Sequence, residues 1–385
     1  MRLHSSLNRR ELAGWGFYGS GALWGAAVGL PAAGARGQGW LDARKFGARG
    51  DGRHDDTRAL QRALDAAGEN QGAVFLPPGI YVCGRLRCHP NTALVGIAAW
   101  DYRGPAGSVL RLADRQAACL LDITRAHGLT LSGLALDGGG LGSQIHGIWL
   151  NNPHYLREDS FRIEGCQIAR FSGDGVNLTR AWAFSIRHSM LAYNAGDGLS
   201  LRGWDGFLLD NWFSGNRRAG FAAREENASV TFTANRVEWN HEENLLIAGG
   251  DGYQITGNFF DRAGTCGVAL RARGRVPCSQ MTLTGNFLKR SGKRAPEGSN
   301  DSAQLLIQQG RGIACTGNNL EAGRDDRATG RWSPSFGIVY AGLRDCVIQN
   351  NVLYKAALRR LIVNAGGQGE GNVIGPNPGR LLHQS

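Results

Sequence analysis

Eight short segments between residues 163 and 353, IEGCQI, IRHSML, LLDNWF, FTANRV, ITGNFF, LTGNFL, CTGNNL and IQNNVL, superpose on one another. Their shared column runs Cys166, Ser189, Asn211, Asn235, Asn258, Asn286, Asn318 and Asn351, at spacings of 23, 22, 24, 23, 28, 32 and 33 residues. A period near 23 that changes mainly by insertion marks a solenoid. A unit this short cannot bury a core alone, so each must stack on its neighbours.

Apolar and polar residues alternate over five or six positions within a unit, which predicts strands and not helices. Gly, Asn and Asp between them supply turns, and 58 glycines in 385 residues fit a chain that turns often. The expected fold class is all-β, a single-stranded parallel β-helix. The repeated Asn is expected to be structural: inward amides stacked coil on coil bond to one another and to the turn backbone. Asn258 and Asn286 are therefore not assigned to catalysis.

The segment before the coils, KFGARGDGRHDDTRALQRALDAAGENQGAVFLPPGIYVCG, resembles the opening of the pectate-lyase-like superfamily, particularly its rhamnogalacturonase/epimerase-like domain. The resemblance implies a right-handed β-helix with an N-terminal capping helix, and places Asp51, Asp55 and Asp56 in the cap. The residues agree: Asp55, Asp56 and Thr57 suit a helix start, and Leu60, Ala63, Leu64 and Ala67 share one apolar face. Residues 36–385 are expected to form one β-helical domain, with 36–90 as cap and first coil. Superfamily members include hydrolases, lyases, epimerases and tailspikes, so the likeness fixes the fold and not the reaction.

Arg9 and Arg10 precede a Gly- and Ala-rich apolar stretch that ends in Ala33-Gly34-Ala35. Residues 1–35 thus resemble a twin-arginine export signal, and the mature protein is expected to be periplasmic or secreted without a membrane span. The formal charge of +11 remains strongly positive without that segment. Outside the cytoplasm it favours acidic polysaccharides over nucleic acid, for which no reading motif is present. Export would permit disulfides among the eight cysteines, with Cys83–Cys88 and Cys266–Cys278 as the local pairs. The absence of Cys-x-x-Cys argues against zinc.

A second column passes through IHGIWL, GDGVNL, GDGLSL, RAGFAA, EENLLI, TCGVAL, SAQLLI and SFGIVY: His146, Asp174, Asp197, Ala219, Glu243, Cys266, Ala303 and Phe336. Three carboxylates and an imidazole fall on one line. Alternation adds Trp149, Arg202, Arg224 and Arg271 to the same outer face. Adjacent strands lie about 4.8 Å apart, so Asp174 and Asp197 should approach to roughly 5 Å, and Asp197 and Glu243 to about 9–10 Å.

That separation suits an inverting glycoside hydrolase, with Asp197 as an acid raised by Asp174, and Glu243 as the base that activates water. His146 would orient the acid, Arg202, Arg224 and Arg271 would hold substrate, and Trp149 or Trp204 would stack on a sugar. Such an enzyme needs no cofactor. The alternative is a lyase or epimerase on a uronate-containing glycan, with Ca²⁺ held by Asp174, Asp197 and Glu243, and Arg224, Arg271 or His241 taking the proton. A third reading is a non-catalytic glycan-binding or adhesin-like solenoid. The two charged inserts, KRSGKRAPEGSND and EAGRDDRATGRWSP, are expected to rise beside the cleft as walls, their charges mostly solvated. The family resemblance also allows a homo-oligomer.

Overall fold

The computed structural model describes residues 40–383, apart from 99–100, 102–103, 155–156 and 325–332. The segment expected to be an export signal, residues 1–35, and Asp325, Asp326 and Trp332 lie outside the described residues. Residues 38–385 form one compact unit.

Every strand pairing along the coils is parallel, and each coil contributes strands to three faces. One coil shows the plan. Val176–Arg187 runs along the first face, breaks register between Thr179 and Ala181, and continues on the second; Met190–Ala192 forms the third. The corner residues His188 and Tyr193 have φ values of 47° and 58°, so the chain turns through left-handed conformations. The architecture is the expected right-handed parallel β-helix.

Its core is a set of side-chain stacks along the axis. Phe213, Phe232 and Phe260 lie in line with ring centroids 5.9 and 6.2 Å apart. Burial of each such ring contributes about 1.5–3 kcal/mol. The Asn column is a continuous ladder: each side-chain oxygen accepts the backbone N–H of the preceding member, from Asn211 to Asn351, and the series ends at Asn377. Each amide NH₂ also donates to a main-chain carbonyl, as Asn235 does to Leu208. A second, shorter ladder of Asn194, Asn216 and Asn240 occupies the turn between the third and first faces.

The helix Thr57–Asn70 buries Leu60, Ala63, Leu64 and Ala67 and packs over the first coil. The Asp55 carboxylate accepts the Thr57 N–H at 2.9 Å, whereas buried Asp56 turns back to accept from Arg49 and Gly50. Both serve the cap. Asp137 also proves structural, accepting the Gly139 N–H while pairing with Arg111 and Arg170.

The disulfide expectation is corrected: all eight cysteines are free and buried. Cys83, Cys88, Cys166 and Cys315 line the core, where a thiol packs as a small apolar group. Burial pushes Cys88 and Cys166 up to about 12.

Candidate active site

The inferred register is the observed one. Ile148, Val176, Leu199, Phe221, Leu245 and Val268 are successive partners on the first face, which stacks His146, Asp174, Asp197, Ala219, Glu243 and Cys266 two residues upstream. At the two Gly-Asp-Gly turns the coils stack too closely for a side chain on the second glycine. A Cβ on Gly175 would lie 2.7 Å from the Gly198 carbonyl oxygen, and one on Gly198 would lie 2.6 Å from that of Gly220. The glycines of the two Gly-Asp-Gly triplets thus belong to the stacking; the aspartates require a separate account.

Those aspartates point along the solenoid axis. His146 Nδ1 accepts the Asp174 N–H at 3.0 Å, Asp174 Oδ1 accepts the Asp197 N–H at 2.7 Å, and Asp197 Oδ1 accepts the Ala219 N–H at 2.9 Å. Asp174 Oδ2 takes a further bond of 2.7 Å from the Asn177 amide. Asp197 is 0 % exposed and its carboxylate is clasped by both terminal nitrogens of Arg224, with Arg218 at 3.8 Å. Glu243, 8 % exposed, faces Arg271 at 3.3 Å, and Arg271 also donates to Asp301 at 2.8 Å.

This geometry corrects the hydrolytic assignment. A carboxylate with no exposed surface, already saturated by a guanidinium and an amide, has no path to a glycosidic oxygen. Burial, and then the charge of Asp197, raises the Asp174 carboxyl. Because His146 Nδ1 receives an N–H, its neutral ring carries the proton on Nε2 and acts as a donor. Burial lowers the His146 pKa from its ordinary 6.5 despite the nearby Asp174.

That shift predicts a pH effect. His146 contributes stability that is present above pH 6.5 and is lost as pH falls through its lowered folded value. Asp174 acts in the opposite sense, its share being present below pH 3.8 and lost as pH rises through its raised folded value. In His146→Asn the amide oxygen still accepts the Asp174 N–H, so urea midpoints from pH 7 down to 5 should fall less than in the parent protein. Equal slopes would refute the buried neutral imidazole.

The calcium set does not fit either. Asp197 is taken by Arg224 and Arg218, Glu243 by Arg271, and Asp174 by an amide on each oxygen. Among the described residues no group of three His, Cys, Asp or Glu side chains is placed to hold a metal ion.

Other expected residues are dispersed. Trp149 lies on the cleft strand with the Arg85 guanidinium 5.7 Å from its ring. Arg202 pairs with Glu225 and Glu226. Trp204 lies beyond the corner at Gly203, in register with Trp182 and not with the column. His241 occupies a separate pocket of about 470 Å³ with Tyr193, Trp239 and Lys293. Its Nδ1 accepts from Arg294 at 3.1 Å, which leaves the neutral ring's proton on Nε2 and removes His241 as a proton acceptor there.

Two residues absent from the sequence expectation complete the site. Glu242 is 43 % exposed at its side chain, and its Oε2 lies 3.7 Å from Arg218 and 3.5 Å from Arg224. Burial raises its pKa, with Arg218 opposing and Glu243 assisting. Arg218 is 46 % exposed and is held at 3.7 and 3.8 Å by Glu242 and Asp197, so it is the guanidinium most open to an incoming anion. The Glu-Glu doublet was the available signal. The first insert does form a wall: its Asn300 and Asp301 carbonyls lie against the Cys266 thiol of the column.

Two family models match the chain. "Rhamnogalacturonase A/epimerase, pectate lyase-like" covers residues 40–101, and "Right handed beta helix region" covers residues 146–375. Alginate lyase 7 of Azotobacter vinelandii is 29 % identical over 205 residues, which are 46 % of this chain and 22 % of that protein. Mannuronan C5-epimerase AlgE3 of the same organism is 28 % identical over 238 residues, 54 % of this chain and 12 % of its own length. The chain thus spans less than a quarter of either relative. Among solved structures, DFA-IIIase from Arthrobacter chlorophenolicus A6 superposes with a TM-score of 0.63 at 16 % identity, covering 87 % of this chain and 93 % of that one.

Proposed function

From the premise that this chain belongs to the right-handed β-helix family, we propose that it is an exported enzyme that abstracts the proton beside a uronate carboxylate in an acidic polysaccharide. The reading supersedes hydrolysis by Asp197 and Glu243. The observation that carries it is the pairing of a solvent-open guanidinium, Arg218, with a carboxylate of raised basicity, Glu242, above a floor of buried acids. The relatives' names, alginate lyase and mannuronan C5-epimerase, support the same chemistry.

Arg218 and Arg224 neutralise the substrate carboxylate, which acidifies the adjacent C5–H. Glu242 takes that proton. In elimination the C5–H electrons form the C4=C5 bond, the C4–O bond breaks, and the departing oxygen takes a proton from the His146 Nε2–H. In epimerisation the C4–O bond survives and C5 is reprotonated on its opposite face. Both outcomes share the first step, and neither needs a cation between the protein and the uronate.

The test is incubation of the mature protein with polymannuronate, polyguluronate, polygalacturonate and neutral glucans, with and without a chelator. Unsaturated ends absorbing in the ultraviolet indicate elimination, and exchange of the C5 proton with solvent deuterium without chain shortening indicates epimerisation. Chelator should leave either rate unchanged. New reducing ends without absorbance would return the assignment to a hydrolase.

A further inference from the structure

Where the first face turns into the second, the later coils enclose a groove of about 610 Å³ lined by Arg275, Arg311, Arg344, Gln309, Gln368 and a glycine-rich wall that includes Gly366 and Gly367. No carboxylate lines it. Arg311 and Arg344 are direct partners across neighbouring coils, and Arg275 sits in the Arg273–Val276 hairpin of the coil before them.

Three other arginine pairs are each neutralised by shared carboxylates. Arg111 and Arg170 share Asp137, Arg262 and Arg290 share Asp261, and Arg218 and Arg224 share Asp197 and Glu242. Among the described residues none of Arg275, Arg311 and Arg344 has a carboxylate within ion-pair distance. Like charges set directly opposite in adjacent strands destabilise a sheet. The groove also begins where the cleft ends, since Gln308, which faces Arg271 at 3.4 Å, immediately precedes Gln309.

We infer that this groove is an anion-binding subsite that takes the carboxylates of a polyuronate chain leaving the cleft. A polyuronate carries one carboxylate per sugar, and the row supplies arginines from successive coils. An arginine–carboxylate pair forms bidentate, charge-assisted bonds, and Gln309 and Gln368 offer amides for hydroxyls. The inference rests on the uronate reading for its substrate class but not on the reaction.

The test uses Arg311→Gln/Arg344→Gln in the mature protein, with Glu242→Gln added so that binding is measured without turnover. Titration with polymannuronate near physiological salt should show affinity at least tenfold weaker than in Glu242→Gln alone. Carboxyl-reduced polymannuronate should bind neither protein well. On short oligomers that cannot reach the groove, Arg311→Gln/Arg344→Gln with Glu242 intact should turn over at the parent rate. Unchanged polymer affinity would overturn the inference, as would an equal loss for dextran sulfate, which would reduce the groove to a general polyanion contact. Arginine-dependent binding in a protein that turns over no polyuronate would instead remove the proposed reaction and leave the subsite standing.

Discussion

Glu242→Gln is expected to lower kcat on the preferred polyuronate by about two to four orders of magnitude, the usual contribution of a positioned base. The substitution keeps size and hydrogen-bonding capacity but removes the group that accepts the proton. Stability should change by less than about 1 kcal/mol, because the side chain is 43 % exposed and its contacts to Arg218 and Arg224 are 3.7 and 3.5 Å. The pH profile supplies an independent readout. In the parent protein kcat/KM should rise with pH through the raised pKa of Glu242, and that limb should disappear from the residual activity of the variant. Arg218→Ala should instead act mainly on KM, since its guanidinium meets the substrate carboxylate. A Glu242→Gln enzyme within threefold of parent kcat would remove Glu242 from the reaction and leave the base to be sought elsewhere.

The fold and its register were legible because both rest on local, repeated constraints. A recurrent column, Asn in six of its eight members at spacings of 22 to 33 residues, could be counted, and the Gly that precedes the first-face strand in most coils fixed which side chains line up. The column of His146, Asp174, Asp197 and Glu243 was therefore correct as a line. Its meaning was misread, because alternation along a strand says which face a residue occupies and nothing about rotation of its side chain. Asp174 and Asp197 rotate along the axis to cap the next coil's N–H, which turns two apparent catalytic acids into struts of the floor. Arg224 closes over Asp197 from a coil further on, a contact across 27 residues that no local pattern encodes. Glu242 escaped notice because it lies in the turn, where period-two alternation no longer applies. The cysteines misled for a different reason: two pairs lie close in sequence, but all eight thiols are free and buried, most of them in the apolar core where a reduced thiol already packs.

Asp197 should accordingly dominate stability as Glu242 dominates rate. Asp197→Ala is expected to cost about 3–5 kcal/mol, since it strips the nearest partner from a half-buried guanidinium and leaves it only Glu242 at 3.5 Å. The Ala219 N–H, which the Asp197 carboxylate accepts at 2.9 Å, also loses its acceptor. Asp197→Asn retains that acceptor and loses the charge, so its cost should be smaller. Asp197→Ala combined with Arg224→Leu should recover part of the loss, because the second change removes the cation that has lost its nearest carboxylate. Urea midpoints at constant m-value measure the series, and hydrogen exchange at Ala219 locates the damage. Because a solenoid couples each coil chiefly to its neighbours, the exchange rates should rise in the coils carrying Asp174, Asp197 and Ala219 well before those near the helix Thr57–Asn70. Uniform loosening along the whole chain, or a cost below about 1 kcal/mol for Asp197→Ala, would show that the Asp197–Arg224 clasp is not what holds these coils together, and would reopen Asp197 as an acid available to substrate.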